Sequence, residues 1–122
     1  MPATQPAELH MLFEAAINDK DADGLLALYE PDGVAIHLDG SSRTGQSALR
    51  TMIDELLATI DHIEGETRKV LVAGDVALMS AAWRARVTTP DGEGAAAGTT
   101  AEVARRQPDG TWRWVIDDPV FV

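Results

Sequence analysis

The sequence predicts a single α+β domain in which N-terminal helices cover a cone-shaped, curved antiparallel sheet. Two observations support this fold class. Apolar residues recur at helical spacing in the first half, over 6–18 and 44–60, whereas the second half consists of β-rich segments separated by turns. Helices followed by consecutive strands are typical of α+β domains, and 122 residues are enough for one core. We therefore expect one domain over 1–122, with residues 1–5 as a loose leader.

The first two helices are predicted from periodicity and from the residues that end them. A helix over 6–18 carries its apolar positions at helical spacing: Leu9, Leu12, Phe13, Ala16 and Ile17. The polar segment 18–23 is rich in capping residues and interrupts the pattern. A second, short helix follows over 24–29, and the Pro-Asp-Gly turn at 31–33 ends it.

A strand and the most periodic helix complete the first half. The segment VAIHL (34–38) is short, β-rich and bounded by turns, so it is predicted as a strand. Residues 39–45 are predicted to form a loop, in which Thr44 could cap the next helix. That helix has one apolar face, made by Leu49, Met52, Ile53, Leu56, Leu57 and Ile60.

The second half predicts four strands, over 68–73, 76–89, 99–107 and 111–117. Turn sequences join the first strand to the second and the third to the fourth, and 90–98 is expected to be a flexible connection. Strands joined by tight turns pair antiparallel, so we expect an antiparallel sheet.

The charge of the chain argues against nucleic acid as a partner. The chain has 20 Asp and Glu against 10 Lys and Arg, which gives a formal net charge of −10. A protein this acidic repels phosphate backbones. The acidity is otherwise explained by solubility.

The sequence has no cysteine, which excludes disulfides, thiolate metal ligands and a cysteine nucleophile. No stretch approaches the roughly 20 apolar residues of a membrane span. The N-terminal segment MPATQPAELHM has no basic region followed by an apolar run, so no secretion signal is recognised. We therefore predict a cytoplasmic protein without a membrane partner.

Four segments in order carry a resemblance to a known superfamily: NDKDADGLLALYEPDGVAI (18–36), TGQSALR (44–50), AGDVAL (73–78) and DGTWRW (109–114). The chain resembles the nuclear-transport-factor-2-like superfamily, which includes ketosteroid isomerases and SnoaL-like cyclases. The resemblance implies a cystatin-like architecture, a pocket between helices and sheet, and a homodimer formed through the sheet. It does not specify an activity, because one fold hosts many functions.

The resemblance to ketosteroid isomerases can be followed position by position. Their carboxylate base lies eight residues after the aromatic residue that ends the second helix, and counting from Tyr29 gives His37 here. Their oxyanion-binding tyrosine corresponds to Phe13, which has no hydroxyl. Their second oxyanion donor, a protonated aspartic acid, corresponds to Glu102. Steroid isomerisation as such is therefore not expected.

His37 and Glu102 are the candidate catalytic residues. Imidazole has an ordinary pKa of ~6.5 and suits a general base near neutral pH. Glu102 would orient that imidazole or stay protonated and donate to an oxyanion. The alternative is structural: His37 lies half-solvated at a strand end, and Glu102 pairs with an arginine across the sheet. The available arginines are Arg84, Arg86, Arg105, Arg106 and Arg113.

The candidate pocket-lining residues are Phe13, Met52, Trp83 and Trp114, with ordinary core packing as the alternative. His10 and His62 are expected on the surface. No metal site is predicted, since His37 and Asp39 alone do not make a ligand set. No cofactor is predicted either.

Three functions remain open. The first is an enzyme without cofactor, an isomerase, cyclase or hydratase that acts on an apolar organic substrate with His37 as base. The second is a non-catalytic module that binds an apolar small molecule. The third is a protein-association module that forms a homodimer. The second does not need an acid–base pair, and the third does not need a cavity.

Overall fold

The computed structural model describes residues 2–121 and arranges seven strands as one sheet against three helices. The helices are α1 (Glu8–Asn18), α2 (Ala22–Leu26) and α3 (Gln46–Thr59). The strands are β1 (Tyr29–Ile36), β2 (Ser42–Thr44), β3 (Ile60–Ala73), β4 (Val76–Thr89), β5 (Gly92–Thr99), β6 (Ala101–Arg106) and β7 (Trp112–Asp118). The predicted α+β class is confirmed.

The sheet has the order β2-β1-β7-β6-β4-β3, and β5 pairs with β4 beside β6. Most neighbouring strands are antiparallel, as predicted, but β1 and β7 run parallel. The chain enters β1 from the helices rather than from a tight turn, so no hairpin imposes an antiparallel direction there. Gly33 allows the two strands to approach, because a Cβ at this position would lie 3.0 Å from the Glu30 carbonyl oxygen and 3.2 Å from that of Trp114.

The predicted flexible connection over 90–98 is wrong, because Gly92–Thr99 forms β5 and pairs along β4. Alanine and glycine have low β-propensity, so the sequence pattern hides this strand. The strand predicted over 68–73 is also longer than expected. It begins at Ile60, directly after α3, and pairs with β4 along its length.

The first half differs from expectation at three boundaries. The short helix predicted over 24–29 lies at Ala22–Leu26, where the Asp21 side chain accepts a hydrogen bond from the Gly24 N–H. Tyr29 already belongs to β1. Thr44 does not cap α3, because it pairs with Val34 in the sheet and Gly45 occupies the N-cap position with a φ of 88°.

Residues 3–5 are held against the fold rather than forming a loose leader. Ala3 is buried and forms an antiparallel bridge with Trp112. The backbone N–H groups of Thr4 and Gln5 donate to the Glu8 carboxylate at the start of α1. The order of this segment therefore follows from backbone hydrogen bonds that its polar sequence does not reveal.

The core lies where the apolar faces of α1 and α3 meet the inner face of the sheet. α1 packs mainly on β3, and α3 packs mainly on β1, β2 and α2. The largest fully buried side chains are Leu9, Ile17, Leu25, Leu49, Met52, Ile53, Met79 and Trp114. Between α1, α3 and the sheet, the core leaves a cavity.

Candidate functional site

The cavity has a volume of about 80 Å³ and is bounded by α1, α3 and the inner face of the sheet. Most of its wall is apolar, formed by residues that include Phe13, Ile36, Met52, Leu56, Ile63 and Trp83. Seven polar side chains also line it: His10, Glu14, Tyr29, Glu66, Thr100, Glu102 and Asp117. An apolar wall with a few convergent polar groups is typical of a small-molecule site.

Glu102 is buried in this wall, with 4% of its surface exposed. Its position on β6 follows from strand alternation, since Thr100, Glu102 and Ala104 all lie on the buried side. The Thr100 hydroxyl donates to Glu102 Oε1 at 2.6 Å. His10 Nε2 lies 2.9 Å from the same oxygen. The carboxyl group is therefore held by two neighbours at a defined place in the wall.

His10 connects α1 to two strands. Its Nδ1 lies 2.7 Å from Thr67 Oγ1 on β3, and its Nε2 faces Glu102 on β6. Its ring packs on Trp114, with 5.3 Å between the ring centroids. The expectation that His10 lies on the surface is wrong, because only 12% of its side chain is exposed. Its spacing from Phe13 and Ile17 places it on the inward face of the helix, and this signal is readable from the sequence.

Asp117 is a second buried carboxyl group, which the sequence analysis did not identify. The Tyr29 hydroxyl donates to Asp117 Oδ2 at 2.5 Å. Burial, reinforced by the nearby Glu102 carboxyl, raises the pKa of Asp117 to about 7. Burial, together with the Asp117 charge, also raises the pKa of Tyr29 well above its ordinary value, so the phenol stays a hydrogen-bond donor.

A β-bulge explains why Asp117 faces inward. Ala104 pairs with Trp114, but the preceding Val103 pairs with Ile116, so Val115 is the extra residue on β7. Simple alternation from Trp112 and Trp114 would bury Ile116 and expose Asp117. The bulge reverses this, leaving Ile116 exposed at 45% and Asp117 buried.

His37 and Glu102 are not brought together, contrary to the expectation that they share a pocket. His37 Nε2 lies 2.9 Å from Glu55 Oε2, and that carboxylate also pairs with Arg43. Ile36 and Leu38 line the cavity, whereas His37 between them does not. Neighbouring residues of an extended segment point to opposite faces, which accounts for the placement of His37.

Three of the four candidate pocket residues, Phe13, Met52 and Trp83, line the cavity. Trp114 does not; it is buried in the core and lies against the His10 ring. The Trp83 indole N–H donates to the Pro119 carbonyl oxygen at 2.7 Å and so ties the C-terminal segment to β4.

Among residues 2–121, no group of three or more His, Asp or Glu side chains is placed to hold a metal ion. The described helices include none that is long and apolar enough to cross a membrane.

The family model for the SnoaL-like domain matches residues 10–118, which include His10, Tyr29, Glu102 and Asp117. The chain belongs to the SnoaL-like domain family. This SnoaL-like domain has no significant match among curated proteins. The predicted resemblance to the nuclear-transport-factor-2-like superfamily is confirmed by this match and by similar solved structures.

Several solved structures share the fold of this SnoaL-like domain. A protein of unknown function from Mycobacterium tuberculosis is 26% identical, with a TM-score of 0.73 over 92% of this chain and 66% of that chain. A ketosteroid isomerase-like protein from Erwinia carotovora is 18% identical, with a TM-score of 0.77 over 92% of this chain and 89% of that one. An uncharacterized protein from Caulobacter vibrioides has a cystatin-like fold, 20% identity and a TM-score of 0.77, covering 95% and 86%. The last two show the fold alone.

Proposed function

We propose that this SnoaL-like domain binds an apolar small molecule in the cavity and acts on it by acid–base chemistry, with Glu102 and Asp117 as the reacting pair. The observation that carries this proposal is the presence of two buried carboxyl groups in the wall of one apolar cavity. Family membership supports a ligand-binding or isomerase-type role. No cofactor is needed for such chemistry.

The two carboxyl groups have different neighbours, and this assigns them different roles. Asp117, whose pKa burial raises to about 7, keeps its proton up to near neutral pH and is the acid of the pair. Glu102 accepts a hydrogen bond from the Thr100 hydroxyl and lies beside His10, and it is the base of the pair in this proposal. A pair of titratable groups whose surroundings separate their proton affinities can supply one acid and one base at the same pH.

Isomerisation of a β,γ-unsaturated ketone illustrates the step. The Glu102 carboxylate takes a proton from the carbon between the carbonyl and the double bond, while Asp117 donates a hydrogen bond to the oxygen on which negative charge develops. The same proton then returns to the γ carbon, and the double bond moves into conjugation. Both carboxyl groups recover their starting states, so no co-reactant is consumed.

His10 is a positioning residue in this proposal. It contacts Thr67 and Glu102 and so fixes the Glu102 oxygen relative to α1. The base role that the sequence suggested for His37 is not included, because His37 pairs with Glu55 and lies outside the cavity lining.

The test uses the β,γ-unsaturated isomer of cyclohexenone, a ketone small enough for the cavity, and follows the absorbance of the conjugated product. We expect turnover above buffer, with a loss on the order of 10²-fold or more in both Glu102→Gln and Asp117→Asn. Glu93→Gln, an exposed carboxylate on β5, is the matched control. Binding without turnover would favour the non-catalytic module, and full activity in both amide variants would remove the pair from the mechanism.

We also propose that the chain forms a homodimer through the outer face of its sheet. A row of directly paired apolar residues crosses five strands on this face: Val34, Ile116, Val103, Leu78 and Leu71. Leu71 and Leu78 are each more than half exposed. In a two-fold interface the same patch of both copies meets itself, and an apolar row can pack against an identical apolar row. An acidic part of the surface would instead repel the same part of a second copy.

A further inference from the structure

The cavity is lined by acidic groups at both its buried and its exposed parts. Glu102 and Asp117 lie in its buried wall, and Glu14 and Glu66 also line it. Glu66 is exposed and stands beside Gly65 and Trp83, where the cavity meets a shallower surface depression. Among the described lining residues, His10 is the one basic side chain, and neither lysine nor arginine is present.

We propose that the ligand of this cavity is an apolar molecule carrying a protonated amine, and that carboxylates and phosphates are excluded from it. This inference rests on the proposed function, since it names the ligand class of the same site. A buried ammonium group needs an ionic or hydrogen-bonding partner. Glu14 and Glu66, the two less buried carboxylates of the lining, can pair with it, which leaves Glu102 and Asp117 for the reaction. A ligand anion would meet up to four carboxyl groups, and among the described lining residues neither lysine nor arginine is present to compensate.

The cavity limits the size of the apolar part of the ligand. Space of about 10–15 Å³ holds one water, so about 80 Å³ corresponds to roughly six water-sized groups. This suits a single small ring or a short aliphatic chain. Phe13 and Trp83 are the aromatic residues in the wall, and their rings offer both apolar contact and cation–π attraction to an ammonium group.

The test compares matched probes by calorimetry: benzylamine, benzyl alcohol and benzoate, and the aliphatic set hexylamine, hexanol and hexanoate. Within each set we expect the amine to bind about tenfold or more tightly than the alcohol at about pH 8, and the carboxylate not to bind.

The controls separate ligand charge from folding. Glu66→Gln changes an exposed residue, so folding is not at risk, and it should weaken amine binding about twofold or more without affecting the alcohol. Glu93→Gln removes the same charge away from the cavity and should change neither. Equal or tighter binding of the alcohols overturns the amine inference but leaves the apolar pocket intact. Failure of all six probes to bind at millimolar concentration overturns both.

Discussion

Glu102 and Asp117 face one another across β6 and β7, as directly paired residues of an antiparallel ladder. Both are buried, with 4% and 6% of their surface exposed. Side chains opposite one another in such a pair have their Cβ atoms about 4.5–5.5 Å apart. Two buried carboxyl groups this close cannot both ionise without cost. By burying Asp117 opposite Glu102, the sheet register and the Val115 bulge together raise the pKa of Asp117 to about 7.

Asp117→Asn should make the protein more stable at alkaline pH. The pKa of Asp117 is about 7 in the folded chain, against an ordinary 3.8. The folded state therefore binds more protons than the unfolded state between about pH 4 and pH 7, and stability falls as pH rises through this window. Asparagine has the same shape, can still accept from Tyr29 and does not ionise, so we expect a gain on the order of a few kcal/mol at about pH 8.

Urea unfolding at about pH 4.5 and pH 8 measures this effect. The variant should lose most of its advantage at the lower pH, where Asp117 of the wild type is protonated. Asp91→Asn, in an exposed turn, is the control and should leave the pH dependence unchanged. A pH dependence in Asp117→Asn that equals that of the wild type would show that Asp117 ionises normally.

His10→Ala and His37→Ala should differ in their effect on stability. Removing His10 takes a hydrogen-bond partner from buried Glu102 and from Thr67, which we expect to cost about 2–3 kcal/mol. His37 pairs with Glu55, whose side chain is 44% exposed, so its loss should cost about 1 kcal/mol or less. Denaturant unfolding of both variants at neutral pH gives the comparison, and a larger cost for His37→Ala would contradict it.

The α+β class, α1, α3 and the long strand β4 were predictable because periodicity and turn residues report them directly. β5 was not, because its alanine and glycine residues form a strand only where β4 offers an unpaired edge. At the site, Glu102 was found through the resemblance to ketosteroid isomerases. Asp117 was hidden because one bulge residue changes which side chains of β7 face inward, and such bulges have no sequence signature here.

The assignment of His37 to the cavity was wrong for a similar reason. Counting along the chain from Tyr29 assigned His37 to the cavity, but β1 has an irregular register between Tyr29 and Val34. A shift of one residue moves a side chain to the opposite face. Counting residues therefore cannot decide which of Ile36, His37 and Leu38 lines the cavity, and the three-dimensional pairing does.

Trp83→Phe and Trp114→Phe should differ in how fast an amide of the C-terminal segment exchanges with solvent. The Trp83 indole donates to the Pro119 carbonyl oxygen, and close by the Phe121 N–H donates to the Thr99 carbonyl oxygen at 3.1 Å. Trp83→Phe removes the first bond, so we expect the Phe121 amide to exchange with solvent several-fold faster.

In contrast, the Trp114 indole N–H has no hydrogen-bond partner within the described part of the chain. Its replacement by Phe removes ring volume but no such bond, so the exchange of Phe121 should be unchanged while global stability falls. Amide hydrogen exchange of both variants tests this, and equal acceleration of Phe121 exchange would mean that the Trp83 bond does not hold the segment.

Leu78→Glu should dissociate the proposed homodimer without unfolding the chain. Leu78 lies within the apolar row, paired with Leu71 on one side and Val103 on the other, and is 52% exposed. A carboxylate there would be buried without a partner in the dimer but solvated in the monomer, so the substitution acts on association rather than on the core. Sedimentation equilibrium should give 26.2 kDa for the wild type, twice the chain mass of 13.1 kDa, and 13.1 kDa for the variant.

Met11→Glu is the control: it introduces the same charge at a residue of α1 that is 63% exposed and away from the row, and it should stay dimeric. A wild type that sediments as a monomer would remove the dimer, and dissociation by both variants would assign it to net charge, because only a loss confined to Leu78→Glu depends on the outer face of the sheet.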